Sequence, residues 1–190
     1  YSEDIDLFAN ADNSFKKTIT NLRTIIESEF GVGIGKPVLY NDFVRLWIEA
    51  NNIQLKIELV NDVSARWGKI FHFNNIPIDN PGNILANKLT AVVGRDEPKD
   101  VFDIITISKN YSFNWAEVFE QSIRKAIVAE QNVAERLATF PFLLIEDKPW
   151  LFKSVDQSQF MSELSIISND FLFARDNSLG KGKIYILEAK

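Results

Sequence analysis

Hydrophobic and polar positions alternate at the start of the chain. Within Tyr1 to Asn10, Asp4 and Asp6 interleave with Ile5 and Leu7. A period of two predicts a short strand with one acidic and one apolar face. The period then lengthens. Phe15, Ile19, Leu22, Ile25 and Ile26 share one face of a helix that Asp12 or Asn13 caps and that runs to about Phe30. The run Gly-Val-Gly-Ile-Gly from Gly31 to Gly35 ends it. Next come three apolar, β-branched stretches, Val38 to Tyr40, Val44 to Ala50 and Leu55 to Val60, parted by Asn41-Asp42 and Asn51-Asn52. They read as an antiparallel meander, with one more short strand from Lys69 to Phe73.

From Asn80 onward the pattern is helical. Asn80-Pro81-Gly82-Asn83 opens a helix that stops at Gly94, with proline in the first turn, where its missing N–H costs little. A second helix begins after Asp96 and reaches about Lys109; others are predicted from Asn114 to Glu130, Val133 to Thr139 and Ser158 to Phe173. A last strand, Lys183 to Leu187, follows the Gly180-Lys181-Gly182 turn. No internal repeat is present. This order predicts an α+β fold: a small mixed sheet with helices, followed by a mainly helical C-terminal part. The boundary is expected near Asp79 to Pro81, giving domains 1–79 and 80–190.

Composition narrows the classes. Of 190 residues, 46% are hydrophobic and 12% aromatic, which suits a packed core and excludes a disordered tail. No stretch approaches the roughly 20 apolar residues of a membrane span. The absence of cysteine excludes a disulfide framework, a thiolate zinc site and a cysteine nucleophile. His72 stands alone, without the surroundings of a catalytic triad. Trp47, Trp67, Trp115 and Trp150 read as core and rim aromatics. A net charge of -5 disfavours non-specific nucleic-acid binding but leaves room for a local basic groove. The chain opens Tyr-Ser-Glu-Asp, without an initiator Met, and reads as a piece of something longer.

Three charged patterns carry the candidate chemistry. Asp4 and Asp6 are two apart, so on a strand they point the same way. Neighbouring carboxylates repel and invite a cation; Mg²⁺ takes such oxygen ligands. An exposed edge-strand face would explain the pair equally. Glu58, in Lys56-Ile57-Glu58, is either part of a solvated face with a diagonal ion pair to Lys56 or, if its strand lies beside the first, a third carboxylate. Three acids can hold the two metal ions of a phosphoryl transfer. The third pattern joins Lys88, Arg95, Lys99, Asp100 and Asp103 over two successive helices, with Lys99 and Asp103 as an i,i+4 pair. It reads as helix-surface charge or as cations for a triphosphate with acids that orient them.

Together these patterns resemble a known family. Ser2-Glu3-Asp4-Ile5-Asp6-Leu7-Phe8 is similar to the nucleotidyltransferase signature of AbiEii/AbiGii-type toxins, within the DNA polymerase beta-like superfamily. Lys88-x-x-Ala91-x-x-x-Arg95, then Lys99-Asp100-x-x-Asp103, resembles the same family's helical motif. The resemblance covers about Tyr1 to Asn110.

It implies nucleotidyl transfer: a hydroxyl attacks the α-phosphate of an NTP and pyrophosphate leaves. Asp4, Asp6 and Glu58 are then expected to hold metal, two Mg²⁺ ions, with Lys88 and Asp103 completing the catalytic set. Ser2, Lys88, Arg95, Lys99 and Asp100 are expected at the nucleotide. The implied partners are an NTP, a tRNA acceptor and a cognate antitoxin, in the cytoplasm and away from membranes. The family also has a G-G/S-T element just before its D-x-D, upstream of Tyr1, so the first domain is expected to be N-terminally incomplete. Two readings compete with the enzyme: a non-catalytic nucleotidyltransferase-like binding module and a plain α+β binding domain with charged faces.

Overall fold

A computed structural model of the protein describes residues 4–50, 53–146, 148, 151 and 153–189, with the side chains of residues 4, 10 and 50 left aside. The chain forms two compact units, Tyr1–Ser64 and Ala65–Lys190.

The first unit contains β1 (Asp4–Asn10), α1 (Phe15–Phe30), β2 (Gly33–Ile34), β3 (Val38–Leu39), β4 (Phe43–Ala50) and β5 (Ile53–Asp62). Its sheet runs β1-β5-β4-β2, with β3 also pairing β4. The β4–β5 pair is antiparallel, whereas β1 lies parallel to β5. A parallel pair needs a crossover, which the segment containing α1 supplies. One sheet face turns Val44, Leu46, Ile57 and Leu59 onto Phe15, Ile19 and Ile26 of α1, and these seven side chains form the buried core.

The cap of α1 differs from expectation. Ser14 occupies the N-cap position without a side-chain capping bond. Asp12 instead accepts from the Ser14 N–H at 2.8 Å and the Ser14 hydroxyl at 2.7 Å. Gly31, at φ 59°, ends the helix in the left-handed conformation. The following Gly33–Ile34 segment, predicted only as a helix stop, pairs with Ile48 and Glu49 as β2.

The second unit begins with a hairpin of β6 (Phe71–Phe73) and β7 (Ile76–Ile78). Asn74 and Asn75 both have positive φ, 48° and 67°, the two-residue turn that suits strand twist and tolerates asparagine. His72 is exposed on β6. Five helices follow: α2 (Pro81–Gly94), α3 (Pro98–Asn110), α4 (Trp115–Ile123), α5 (Glu130–Thr139) and α6 (Gln157–Leu172). Their shared core centres on Leu85, Leu89, Ile104, Trp115, Leu164 and Phe171. Trp115, fully buried, meets Phe113 and Phe171 edge-on at centroid distances of 4.8 and 5.9 Å.

Asn80 caps α2 by accepting from the Asn83 N–H at 3.0 Å. Its amide nitrogen reaches back to the carbonyls of Trp67 and Lys69, while Asn83 accepts from the Trp67 N–H. These bonds tie 67–69 to the start of α2, so Asp79 to Pro81 lies inside the second unit rather than between units.

Two predicted elements are corrected. The helix expected from Asn114 to Glu130 ends at Ile123. Beyond it Ile127 is fully exposed, so no apolar face is buried to extend the helix. The last strand, Lys183 to Leu187, is absent. Tyr185 makes one isolated bridge to Ser112, and the chain then closes into a 3-10 turn, Ile186–Glu188, with the Glu188 N–H on the Tyr185 carbonyl. No helix among the described residues is long and apolar enough to cross a membrane.

Candidate active site

The first cluster is built by strand register. Asp6 of β1 pairs with Glu58 of β5, and Glu58 pairs with Arg45 of β4. Registered partners share a sheet face and adjacent strands lie about 4.8 Å apart, so the three form a row across the face opposite α1. In the neighbouring row, the backbone of Asp4 pairs with Lys56, and Lys56 with Trp47. Ser2 and the Asp4 side chain lie outside the described residues. Asp6 is exposed.

Glu58 is held more firmly than the sequence suggested. Arg45 Nε and Nη2 lie 2.7 and 2.6 Å from its Oε1, and Lys56 Nζ lies 3.4 Å from the same oxygen. The diagonal contact to Lys56 therefore exists, but the closer cation is Arg45. Arg45 carries no local signal in the sequence, because a cross-strand partner depends on the register of the pairing. The antiparallel register that sets Ala50 opposite Ile53 also sets Arg45 opposite Glu58.

The donor set suits a hard cation, since Asp6 and Glu58 offer carboxylate oxygens from neighbouring strands. Among the described residues no group of three or more His, Asp or Glu side chains is close enough to hold a metal. The expected set of three counts on Asp4.

The second cluster joins α2 and α3. Pro98 fixes the first turn of α3, and Glu97 caps it by accepting from the Lys99 N–H at 3.3 Å. Asp100 then falls in that first turn, where the helix dipole favours a negative charge. Lys88 Nζ lies 2.8 Å from Asp100 Oδ1 and 2.8 Å from Asp103 Oδ2. Arg95 reaches Asp100 with a two-pronged grip, Nε to Oδ2 at 2.7 Å and Nη2 to Oδ1 at 3.0 Å. The structure thus brings Lys88, Arg95, Asp100 and Asp103 into one network. Lys99 is half-buried, and Asp103 pairs across the helices with Lys88; among the described residues it makes no ion pair with Lys99.

Charge balance in this network is internal. Burial would raise the pKa of Asp100, yet hydrogen bonds from Arg95 and Lys88 outweigh it and hold the carboxyl below its ordinary value. Burial likewise pulls Lys88 down, and the bonds to Asp100 and Asp103 overcome it, leaving the ammonium above its ordinary value. Both groups are charged at neutral pH.

Comparison with known structures identifies the fold class. A candidate nucleotidyltransferase from Helicobacter pylori superposes with a TM-score of 0.55 at 17% identity, covering 90% of this chain and 78% of that one. The protein JHP933 from Helicobacter pylori gives 0.54 at 16% identity, covering 90% and 75%. At that identity the likeness defines the fold as nucleotidyltransferase-like α+β. The family follows from the sequence model of the nucleotidyl transferase AbiEii toxin, type IV toxin–antitoxin system, which matches residues 1–165. The chain belongs to this nucleotidyltransferase family. No curated relative matches it.

Proposed function

We propose that this chain performs metal-dependent nucleotidyl transfer, moving a nucleoside monophosphate from an NTP to a hydroxyl of an acceptor, tRNA in the first instance. We further assign it the toxin role of a toxin–antitoxin or phage-defence pair, in the cytoplasm, where NTPs and tRNA are found, with a cognate antitoxin protein as partner. The observation that carries the reading is the pairing of Asp6 with Glu58 on the open face of the first unit's sheet, in a chain of this family.

Asp4, Asp6 and Glu58 are the residues that would hold two Mg²⁺ ions. Since Arg45 and Lys56 crowd Oε1 of Glu58, Oε2 is the oxygen left for a cation. When bound, the metal supplies positive charge against the attacking and leaving oxygens of the transfer. Lys88 spends N–H groups on Asp100 and Asp103 and retains a third for a phosphate oxygen. Asp100 and Asp103 act as positioning residues that aim that ammonium. Arg95, Lys99 and Ser2 complete the phosphate contacts. In the reaction the acceptor oxygen bonds to the α-phosphorus, the bond from that phosphorus to the bridging oxygen breaks, and pyrophosphate departs.

The test is incubation of the protein with α-labelled NTPs, Mg²⁺ and total tRNA. Label should enter tRNA with wild-type protein and not with Asp6→Ala. Absence of transfer with every NTP, or transfer that survives Asp6→Ala, would overturn the reading.

A further inference from the structure

The first unit carries a second recess, distinct from the carboxylate face, between α1 and the turn joining β3 to β4. It encloses about 540 Å³, within the range of ligand pockets. Its floor is apolar, formed by the buried Ile19 and Val44. One wall presents Lys16, Thr20 and Arg23, spaced i, i+4, i+7 along one face of α1. The other wall presents Tyr40, whose side chain is 67% exposed. Among the described residues no acidic side chain lines the recess.

The cations are incompletely used. Lys16 Nζ donates to Asn41 Oδ1 at 3.0 Å, which leaves two of its N–H groups to give. Arg23 Nε has no solvent-accessible surface and no hydrogen-bond partner. The nearest carboxylate to Arg23 is Glu27, with 4.0 Å between Arg23 Nη2 and Glu27 Oε1. The Arg23 side chain as a whole is about one-third exposed, so the open end of its guanidinium, rather than the buried Nε, can meet a ligand oxygen. Seven residues of helix set the backbone positions of Lys16 and Arg23 about 10 Å apart along the axis. Two cations set along a helix at this spacing can each take one of the successive phosphates of a nucleic-acid strand. Tyr40 offers an exposed ring at the rim, and a base with an aromatic partner is the usual companion of a positively charged track in single-strand binding.

We propose that this groove binds a single-stranded RNA segment, its phosphates on Lys16 and Arg23 and one base on Tyr40. The identity of that RNA as the acceptor rests on the nucleotidyltransferase reading; binding itself does not. A net acidic chain gains specificity from such an arrangement, because a recess lined by Lys16 and Arg23 attracts a strand that the net charge of the chain does not.

The experiment is fluorescence anisotropy of the whole chain with a labelled single-stranded RNA oligonucleotide, without NTP or Mg²⁺. Wild-type protein should bind, and Lys16→Ala with Arg23→Ala should weaken binding tenfold or more. The same pair should flatten the dependence of log affinity on log salt by about 0.7 for each lost phosphate contact. Tyr40→Ala should lose about tenfold and Tyr40→Phe should keep wild-type affinity, as stacking requires. Lys16 and Tyr40 are exposed, so Lys16→Glu and Tyr40→Ala remain informative if Arg23→Ala unfolds.

Failure of wild-type protein to bind the oligonucleotide, or unchanged affinity in these variants, overturns the proposal. So does inorganic polyphosphate that competes as well as RNA and ignores Tyr40→Ala. Asp6→Ala should bind RNA normally while losing transfer, so the two claims fail separately.

Discussion

Glu58 and Asp100 each hold two cationic side chains, yet their surroundings are opposite. Glu58 sits on the uncovered face of a sheet with its side chain 19% exposed; Asp100 is wedged between two helices at 1%. Water near Glu58 weakens its attraction to Arg45 and lets one partner be exchanged for another. Around Asp100 there is little solvent to replace a lost partner, so the network also serves as structure. One charged cluster is adjustable and the other is fixed.

The largest effect that sharpens this contrast is on stability. Asp100→Ala removes the shared acceptor of Lys88 and Arg95 and should cost about 3 kcal/mol, read as a lowered urea midpoint. Next comes Asp6→Ala, which should lower nucleotidyl transfer on the order of a hundredfold while moving stability by no more than about 0.5 kcal/mol, since Asp6 is exposed. An Asp6→Ala protein that unfolds, or an Asp100→Ala protein as stable as wild type, would erase the distinction.

The pH dependence should separate the clusters further. Asp100 titrates below the ordinary carboxyl value of 3.8, so folding favours its ionised form. Its contribution is fully present above about pH 3.8 and is lost as pH falls through the lowered native value. Lys88 titrates above 10.5, so its contribution is fully present below that pH and is lost as pH rises through the raised value. Urea midpoints of Asp100→Asn should therefore fall less steeply than wild type in acid. In alkali, Lys88 should lose its proton at lower pH, since burial then acts with less opposition.

Arg45→Met should cost far less stability than Asp100→Ala, about 1 kcal/mol at most, because Arg45 is more than a third exposed and solvent screens the pair. Its sharper readout is metal affinity: with the closer of the two cations at Oε1 of Glu58 removed and Lys56 left, Mg²⁺ should bind more tightly by calorimetry. Unchanged or weaker binding would count against Glu58 as a metal ligand.

Much of this contrast can be read from the chain before folding, and the unread part has a common cause. The two-residue period of β1 and the spacing from Lys88 to Asp103 are local patterns, and local geometry follows from them. Proline at the first turns of α2 and α3 placed both helix starts. What escaped depends on partners distant in sequence. β2 is two residues long and exists because Ile48 and Glu49 lie beside it. The C-terminal stretch has strand-like residues, but among the described residues it bridges Ser112 alone, so no ladder propagates there. Arg45 met Glu58 through register, and Asp103 chose Lys88 over its own helix neighbour through packing of α2 on α3. The groove beside α1 was foreshadowed only as a general allowance for local basic charge; its aromatic wall comes from a turn between strands.

The most direct measurement is Mg²⁺-dependent transfer of α-label from each NTP into total tRNA, by wild-type, Asp6→Ala and Glu58→Gln proteins verified as folded by circular dichroism. Labelled tRNA should appear with wild-type protein for at least one NTP, vanish on chelation with EDTA, and fall on the order of a hundredfold in both variants. Transfer at wild-type level by either folded variant, or none by wild-type protein, would contradict the account.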